Sequence, residues 1–450
     1  MIGISGPVFR PGDEGYDAER RGYNLALDHR PAVVVGATGA ADVAAAVRYA
    51  AEAGLGVAVQ ATGHGVSVPT DGHLVISTAR MKGLRIDPVA RTAWFEAGVR
   101  WHEVIAAAAP HGLAPLSGSN PDVGAVGYTL GGGIGLLGRR YGYAADHVRR
   151  LDLVTADGRP RAVDAEREPE LFWALRGGKD NFGVVTAMEI DLVPLTGLFG
   201  GGLYFPGESA AAALHGWAAW TRTVPEEMSS SIQLIRYPDL PVLPEPLRGR
   251  FVAHVRIAWC GERAEGERWV RPLRELGPTL IDSLRELPYQ EVGSIHHEPP
   301  MPAAAYDRNT ALRELDAEAV DLLLELAGPA ADAPVILELR HHGGAYARGP
   351  RVANAVGGRD AGYMLFSTFL LEFAPLAAVR EVHAVLHDKL APWSTGGSFV
   401  NFLGIDDTTP ELVRACYPPE DYRRLAALKA AYDPGNLFRV NYNIPPAAAR

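Results

Sequence analysis

One histidine stands between two glycines, where its ring is open to chemistry. His64 lies in the segment VQATGHGVS, directly after an apolar run that predicts a β-strand. Gly63 and Gly65 lack side chains, so the imidazole projects from a turn with little crowding and suits bond formation to a flat ligand. The alternative interpretation is an exposed turn residue, or one that fills space through a hydrogen bond.

A glycine-rich segment at 117–138 is the second candidate site. Gly133, Gly135 and Gly138 form a GxGxxG pattern, which in a Rossmann turn precedes a helix that holds a dinucleotide pyrophosphate. Only 12 residues separate Gly138 from the strand-like Leu151, so no helix of the required length fits. The remaining interpretation is a concave path of backbone N–H groups for phosphates, and the alternative is a turn-rich surface loop. The glycines of that path are Gly124, Gly127, Gly131, Gly132, Gly133 and Gly135.

The stretches around these segments predict strands and helices in alternation. From Pro31 the pattern gives a strand (PAVVVGA), a helix (ADVAAAVRYAAEAG) and the strand that leads to His64. Short β-rich runs follow, then a helix in WHEVIAAAAPHG, and later two strands, RRLDLVTADG and NFGVVTAMEIDLVPL, around a short helix at PELFWALRG. The composition changes after Pro194, so we assign residues 1–195 to a first domain.

The remaining chain predicts a second domain and a C-terminal segment. Residues 196–405 mix helices with strands such as FVAHVRIAWC, PVILELRHHGG and GYMLFSTFLLEF, which indicates an α+β layer of sheet and helices. Residues 406–450 contain the helix DYRRLAALKAAYD and no strand pattern, so we expect them to dock back onto an earlier domain.

Composition restricts the class of protein. The chain has 450 residues, 47% hydrophobic and 21% charged, with a mean hydropathy of −0.02, the balance of a globular protein with a large core. A net charge of −10 argues against nucleic acid and anionic membranes as partners, and no run of about 18 apolar residues predicts a membrane span. Cys260 and Cys416 lack disulfide or zinc-site spacing. We therefore expect a cytoplasmic protein with a small-molecule partner and no metal.

Four motifs, in this order and spacing, resemble one family. They are TGHG at 62–65, LSGSNPDVGAVGYTLGGGIGLLGRRYG at 116–142, NFGVVT at 181–186 and YDPGNLFRVNYNIPP at 432–446. Together they resemble the FAD-linked oxidases of the berberine bridge enzyme-like group, within the vanillyl-alcohol oxidase superfamily. The resemblance implies an α+β fold: a PCMH-type FAD-binding domain of two subdomains, a substrate domain with an antiparallel sheet flanked by helices, and a berberine bridge-like C-terminal segment.

The resemblance also implies which residues hold the cofactor. FAD is expected to lie extended between the two subdomains, with a covalent bond from His64 to the 8α carbon of the isoalloxazine. Backbone groups of the long glycine segment and of NFGVVT, together with two C-terminal asparagines, are implied to contact it. The residues so implied are Gly63, His64, Gly65, Gly118, Asn120, Val123, Gly124, Gly127, Tyr128, Gly131, Gly132, Gly133, Gly135, Gly183, Val184, Val185, Asn441 and Asn443.

Departures from the family pattern are informative. Many members attach the flavin a second time through a cysteine at the position of Asn120, with a tyrosine where Ile134 stands here. Asparagine forms no thioether, so we expect a single covalent bond, as in the singly His-linked bacterial type. Val123 falls at the family's oxygen-access gate, and its modest size is compatible with O2 reaching the flavin.

Candidates for the catalytic base are few. The segment SFVNFLG, a strand that often supplies a tyrosine in the family, carries Phe399 and Phe402 instead. Tyr442, between two asparagines implied to touch the flavin, is the next candidate, although a phenol with a pKa near 10 needs its anion stabilised. Arg340 and His342 end the strand PVILELRHHGG, and alternation places both on one face that can meet substrate. The alternative is a charged strand end that faces solvent or pairs with acids.

The sequence thus predicts an FAD-dependent oxidase acting on a small alcohol, amine or ring C–H in secondary metabolism. Electrons are expected to return to O2 as hydrogen peroxide. Two alternatives stay open: a flavin dehydrogenase with poor O2 reactivity, and a flavin-holding protein with a non-redox role. The identity of the substrate and the oligomeric state are not predicted.

Overall fold

The computed structural model describes residues 3–65, 68–299 and 301–448, and its first layer is a small, mainly parallel sheet. Within those ranges its four strands run in the order Val8–Phe9, Val33–Gly36, Leu74–Ser77 and Val57–Gln60. The last three strands are parallel and almost fully buried, which explains their runs of valine, leucine and isoleucine. Helix Ala40–Glu52 packs its valines and alanines against them. His64 follows directly beyond the edge strand.

An antiparallel sheet forms the second layer of the first domain. In the described part of the chain, its five strands run in the order Leu84–Asp87, Thr92–Glu96, Val184–Asp191, Val148–Val154 and Pro160–Asp164. Helices Trp101–Ala108 and Pro169–Leu175 share one hydrophobic core with it, in which Trp101 and Phe172 are almost completely buried. A short pair of strands, Leu113–Ala114 with Val193–Pro194, closes the domain. The predicted strands and helices of this domain are confirmed at the level of elements.

A large antiparallel sheet builds the second domain. Its strands among the described residues run in the order Ile281–Asp282, Gly197–Pro206, Phe251–Trp259, Met228–Arg236, Ile336–His341, Tyr363–Leu370 and Ala305–Leu312, with Arg285–Pro288 also paired to the second. Helices cover one face and share its core: Ala210–Thr221, Arg263–Arg274, Ala317–Ala327 and Leu376–Lys389. Strand Phe251–Trp259 alternates, so Val255 and Ile257 enter that core while Arg256 points to the opposite face.

The C-terminal helix Pro419–Tyr432 is fastened to the first domain through a buried lysine. Nζ of Lys429 donates to the carbonyl oxygens of Asn181 at 2.7 Å and Phe438 at 2.8 Å. It also lies 2.8 Å from the carboxylate of Asp433, and the lysine and aspartate side chains are 0% and 1% exposed. A buried ion pair of this kind is tolerated because the remaining donors and acceptors are also bonded.

The residues beyond this helix continue along the first domain. The backbone N–H of Val57, in the edge strand of the small sheet, donates to the carbonyl of Leu437 at 2.9 Å. The backbone N–H of Ile444 donates to the side-chain oxygen of Asn181 at 2.8 Å. The C-terminal segment therefore contacts the layer that carries His64. A further short helix, Pro410–Arg414, precedes Pro419–Tyr432.

Two local predictions are wrong. The glycine-rich segment is not a continuous loop, because Ala125–Leu130 forms a helix in which the Thr129 hydroxyl donates to the Ala125 carbonyl. SFVNFLG is not a strand: the side-chain amide of Asn309 bonds to both the N–H and the carbonyl of Phe399, and a 3₁₀ turn follows at Val400–Phe402. The exclusion of a Rossmann helix is confirmed, since only the short helix Gly138–Tyr141 and a 3₁₀ turn at Ala144–His147 lie between Gly138 and strand Val148–Val154.

Replacing Lys429 with methionine tests the anchoring of the C-terminal helix. The change leaves the Asp433 carboxylate buried without its cation, which costs about 3–5 kcal/mol. We expect the free energy of unfolding, measured by urea denaturation, to fall by that amount. Lys389→Met is the matched control, because Lys389 ends another helix and is 50% exposed. Equal stability of the two variants would contradict the anchoring role.

Candidate active site

His64 has one ring nitrogen held and the other without a partner. Nδ1 lies 2.9 Å from the Thr62 hydroxyl, and the ring stacks on Tyr23 with centroids 3.8 Å apart. Nε2 is buried and has no hydrogen-bond partner among the described residues. Burial, reinforced by the charge of Arg100, lowers the His64 pKa to about 4. The imidazole is therefore neutral at pH 7.

Gly63 and Gly65 serve the His64 turn in different ways. Gly63 has a φ of +75°, and a Cβ there would lie 2.8 Å from the backbone of Gly22. A Cβ on Gly65 would meet only the Lys179 ammonium, at 3.6 Å. Close packing of the chain thus requires glycine at 63, whereas the backbone at Gly65 is open to a ligand.

The glycine segment contains both packed and open positions. Gly124 lies beside Thr62, and Gly127 has open space around its Cα. By contrast, a Cβ would meet protein atoms within about 3 Å at the four later positions, Gly131, Gly132, Gly133 and Gly135. The sequence predicts that these four glycines leave backbone open for phosphates. In the structure the protein itself fills the space beside them, and this packing requires glycine. The open backbone lies at Gly65 and Gly127.

Tyr128 forms the floor of the glycine segment. A Cβ on Gly118 would lie 2.8 Å from its ring, and Trp101 meets the ring edge to face at 5.5 Å. The hydroxyl is buried and has no hydrogen-bond partner in the described ranges. Burial raises the Tyr128 pKa well above its ordinary value, so the phenol stays protonated.

The loop at Asn120 and Val123 lies between the helix that begins at Trp101 and His64. The side-chain oxygen of Asn120 accepts from the Asp122 N–H at 2.9 Å, and the carbonyl of Val123 accepts from the Trp101 N–H at 3.1 Å. Asp122 is one of the charges that act on the His64 ring. Asn120, at the position where many family members form a second flavin bond, therefore lies in the neighbourhood of His64.

The strand after NFG places its valines in two different cores. Val184 is buried against the small sheet and Val185 against the large cluster of the first domain. Gly183 has a φ of +155°, and a Cβ there would lie 2.6 Å from the Val154 carbonyl. Strand Val184–Asp191 pairs with strand Thr92–Glu96 only from Ala187 onward. The backbone at 184–185 therefore extends beyond that neighbouring strand. This is compatible with the predicted backbone contact to a ligand.

The C-terminal asparagines flank a tyrosine that is already engaged. Oδ1 of Asn441 and Oδ1 of Asn443 are buried and lack hydrogen-bond partners among the residues described. Between them, the Tyr442 hydroxyl donates to the carbonyl of Leu403, and its ring is 4% exposed. The prediction of Tyr442 as a base is corrected accordingly: its hydroxyl serves a structural hydrogen bond, which stabilises the protonated phenol.

A small cavity of about 30 Å³ lies between the glycine segment and the open face of the large sheet. Its lining comes from both domains: Ser119, Ile134, Gly135, Leu136, Ser229, Ser230, Ser231, Arg256, Ile257, Ala258, His296, Arg340, His341, His342 and Tyr346. Arg340 and His342 thus lie at one site, as alternation predicts, and the cavity also reaches His341. The solvent-facing alternative is wrong, because His342 is 1% exposed and the Arg340 side chain 13%.

The charges of this cavity are arranged around one carboxylate. Nε of Arg340 donates to Glu338 Oε1 at 3.0 Å, and Nη2 donates to Oε2 at 3.2 Å. His342 stacks on Phe399, with centroids 4.9 Å apart, and neither ring nitrogen has a partner in the described chain. Burial, together with Arg340 and Arg139, lowers its pKa to about 3. His342 is a neutral imidazole at pH 7.

Sequence reasoning missed Lys179 and Asn401. Nζ of Lys179 donates to Asn401 Oδ1 at 3.1 Å and lies 5.6 Å from the centre of the Tyr442 ring. Lys179 is a non-glycine residue with a φ of +53°, a strained conformation that clusters at functional sites. Asn401 in turn donates to the Tyr128 carbonyl at 2.8 Å. The only signal in the sequence was a charged residue inside the turn before NFG.

Comparison with known proteins agrees with this architecture. The model of an FAD-binding domain matches residues 31–164, and the model described as "Berberine and berberine like" matches residues 398–445. (R)-6-Hydroxynicotine oxidase of Paenarthrobacter nicotinovorans is 33% identical over 460 residues, which cover 99% of this chain and 98% of that protein. This chain belongs to the berberine bridge enzyme-like family of FAD-linked oxidases.

Further relatives of this berberine bridge enzyme-like protein cover the whole chain. An FAD-linked oxidoreductase of Dictyostelium discoideum is 27% identical, over 98% of this chain and 95% of its own. The crystal structure of 6-hydroxy-D-nicotine oxidase from Arthrobacter nicotinovorans matches with a TM-score of 0.85 and 28% identity, over 99% of both chains. The predicted α+β, PCMH-type fold is confirmed, and the protein is an FAD-linked oxidoreductase.

The residues of the site fit the FAD of this family. Nε2 of His64 and the side-chain oxygens of Asn441 and Asn443 are buried polar atoms without partners among the described residues. Gly65 and Gly127 leave open space beside the backbone, where a bulky ligand can approach closely. The berberine bridge enzyme-like chain therefore presents polar groups and bare main chain that a flavin nucleotide needs.

The neutral histidines of the cavity predict a loss of stability in acid. Burial lowers the pKa of His341 to about 2 and that of His342 to about 3, whereas an unfolded histidine has a pKa of about 6.5. Below pH 6.5 the unfolded chain binds protons that the folded chain does not. Each such histidine therefore lowers the free energy of unfolding by roughly 2 kcal/mol between pH 7 and pH 5.

We expect His342→Asn to flatten this pH dependence by about one proton, measured as the slope of unfolding free energy against pH. His111→Asn, at an exposed position, is the control and is expected to keep the slope of the parent. An unchanged slope in the His342 variant would show that this imidazole is not held neutral.

Proposed function

We propose that this protein is an FAD oxidase in which His64 is bonded covalently to the flavin and a small substrate is oxidised in the adjoining cavity. The observation that carries the proposal is Nε2 of His64, which is buried, belongs to a neutral ring and has no partner among the described residues. Since Nδ1 is already held by Thr62, Nε2 is the atom available for the bond. Asn120 offers no sulfur, so a single attachment is expected.

Different residues of the chain have different roles in the proposed reaction. Bound FAD supplies the acceptor for the hydride of a substrate C–H bond. His342 supplies a neutral imidazole that accepts a proton from a substrate hydroxyl or amine, because its ring nitrogens are free of partners among the described residues. Arg340, held by Glu338, orients the substrate. Tyr346 and Phe399 pack around the imidazole and exclude water from it.

The substrate class proposed is a small alcohol, an amine or a ring C–H of the secondary-metabolite kind. A neutral amine surrenders a hydride without a strong base, which agrees with phenylalanines at the positions where the family often has a tyrosine. One full-length relative is named as an oxidase of 6-hydroxynicotine. The described residues contain no helix able to cross a membrane, and the cytoplasmic location stays a prediction from the sequence.

The covalent bond is tested by acid precipitation of the purified protein. We expect the yellow colour to stay in the pellet and peptide mass mapping to place it on the peptide that contains His64. His64→Ala is expected to release its flavin on a desalting column, because noncovalent contacts alone remain. His111→Ala, exposed on the surface, controls for loss of an imidazole. Flavin retained by His64→Ala through denaturation would refute the attachment.

Oxidase activity is tested by photoreducing the flavin in the absence of O2 and then admitting air to reoxidise it. We expect rapid reoxidation with one hydrogen peroxide per flavin. Val123→Leu adds bulk at the position aligned with the family's oxygen gate and is expected to slow reoxidation roughly tenfold, equivalent to about 1.4 kcal/mol of barrier. Val89→Leu, at an exposed position, is the control. Slow reoxidation of the parent protein would indicate a dehydrogenase instead.

A further inference from the structure

Two guanidinium groups share one carboxylate on the wall of the cavity. Nη1 of Arg256 lies 3.1 Å from Glu338 Oε1, the same oxygen that accepts from Nε of Arg340 at 3.0 Å. The side chains of Arg256 and Glu338 are 4% and 7% exposed. Nη2 of Arg256 also donates to the side-chain oxygen Oε1 of Gln233 at 2.7 Å. One negative charge therefore faces two positive charges in a place that water barely reaches.

Neighbouring groups do not supply the missing negative charge inside the cavity. His341 and His342 are neutral, and Arg139, also buried, donates to the carbonyl of Met228 and contacts His341. Glu298 acts on Arg340, but its side chain is 35% exposed, where solvent and salt screen it. The buried lining thus carries an excess of positive charge.

Several polar atoms on this wall have no hydrogen-bond partner among the described residues. Nε of Arg256, a donor, is buried and unpartnered. Both ring nitrogens of His342 and Nδ1 of His296 are also buried and unpartnered, and all three side chains line the cavity. Buried polar groups are nearly always satisfied, so a set of unpartnered polar atoms around one space indicates a polar ligand.

We infer that the substrate oxidised here carries a carboxylate, which binds between Arg256 and Arg340. The inference rests on the proposed function and adds its substrate class. The unpartnered Nε of Arg256 can donate to a carboxylate oxygen, and the anion balances the excess charge that the cavity holds. Arg256 and Arg340 are specificity-determining residues, while Glu338 is a positioning residue that holds both side chains toward the cavity.

Binding of the carboxylate also affects the imidazole that accepts the substrate proton. Arg340 is one of the charges that hold the His342 pKa far below 6.5. An anion beside Arg340 offsets this cation, so His342 becomes a stronger base when the correct substrate is bound. An uncharged analogue of the same shape lacks this effect.

The test compares carboxylates with their neutral amides on the FAD-loaded protein by isothermal titration calorimetry. The probes are benzoate against benzamide and cyclohexanecarboxylate against cyclohexanecarboxamide. We expect at least one carboxylate to bind tenfold or more tightly than its amide. Arg256→Met is expected to weaken carboxylate binding at least tenfold and to leave amide binding unchanged, whereas Arg256→Lys keeps the charge and an intermediate affinity. Arg236→Met, exposed on a strand of the same sheet, is the control.

Equal affinity for carboxylates and amides, or no carboxylate binding up to tens of millimolar, would overturn the inference. So would unchanged carboxylate affinity in Arg256→Met. The comparison in the parent protein needs no variant, so misfolding of Arg256→Met does not remove the test. Air reoxidation of the flavin in the same sample separates the outcomes: if peroxide forms without a preference for carboxylates, only the substrate class is wrong. Calorimetry measures binding without turnover, so the preference is measured on the FAD-loaded protein even if the proposed oxidase activity fails.

Discussion

The site depends on how one tyrosine fastens the two domains together. The Tyr346 hydroxyl donates to the Gly135 carbonyl at 2.9 Å and accepts from the Gly135 N–H at 3.0 Å. A Cβ on Gly138 would lie 1.8 Å from that hydroxyl, so only glycine fits there. This fastening holds the glycine segment over the open face of the large sheet and encloses the cavity.

Enclosure explains the electrostatics of the site. The space between the domains is shielded from water. Electrostatic interactions there are therefore strong, and ionising a buried group is costly. Histidines such as His64 and His342 are neutral for this reason, while the Glu338 carboxylate lies 3.1 Å from Arg256 and 3.0 Å from Arg340. A neutral His64 and a positively charged cavity wall thus follow from the same burial.

The glycine-rich segment has two roles that its sequence does not distinguish. Within it, a Cβ on Gly127 would meet open space, whereas Gly131 and Gly135 are required because Asn401 and the Ser117 carbonyl occupy the space beside them. A glycine signals only that a side chain is absent. Whether a ligand or the protein itself fills that space is a property of the fold.

The sequence alone predicted the family through the resemblance of four motifs, and it predicted the strand and helix pattern through hydrophobic periodicity, because both are local features. It also brought Arg340 and His342 to one site through strand alternation. Only the tertiary structure showed that Arg256 and Glu338 join them and that the Tyr442 hydroxyl is engaged by Leu403. Those facts arise from contacts between distant segments, whose burial and pairing no local pattern encodes.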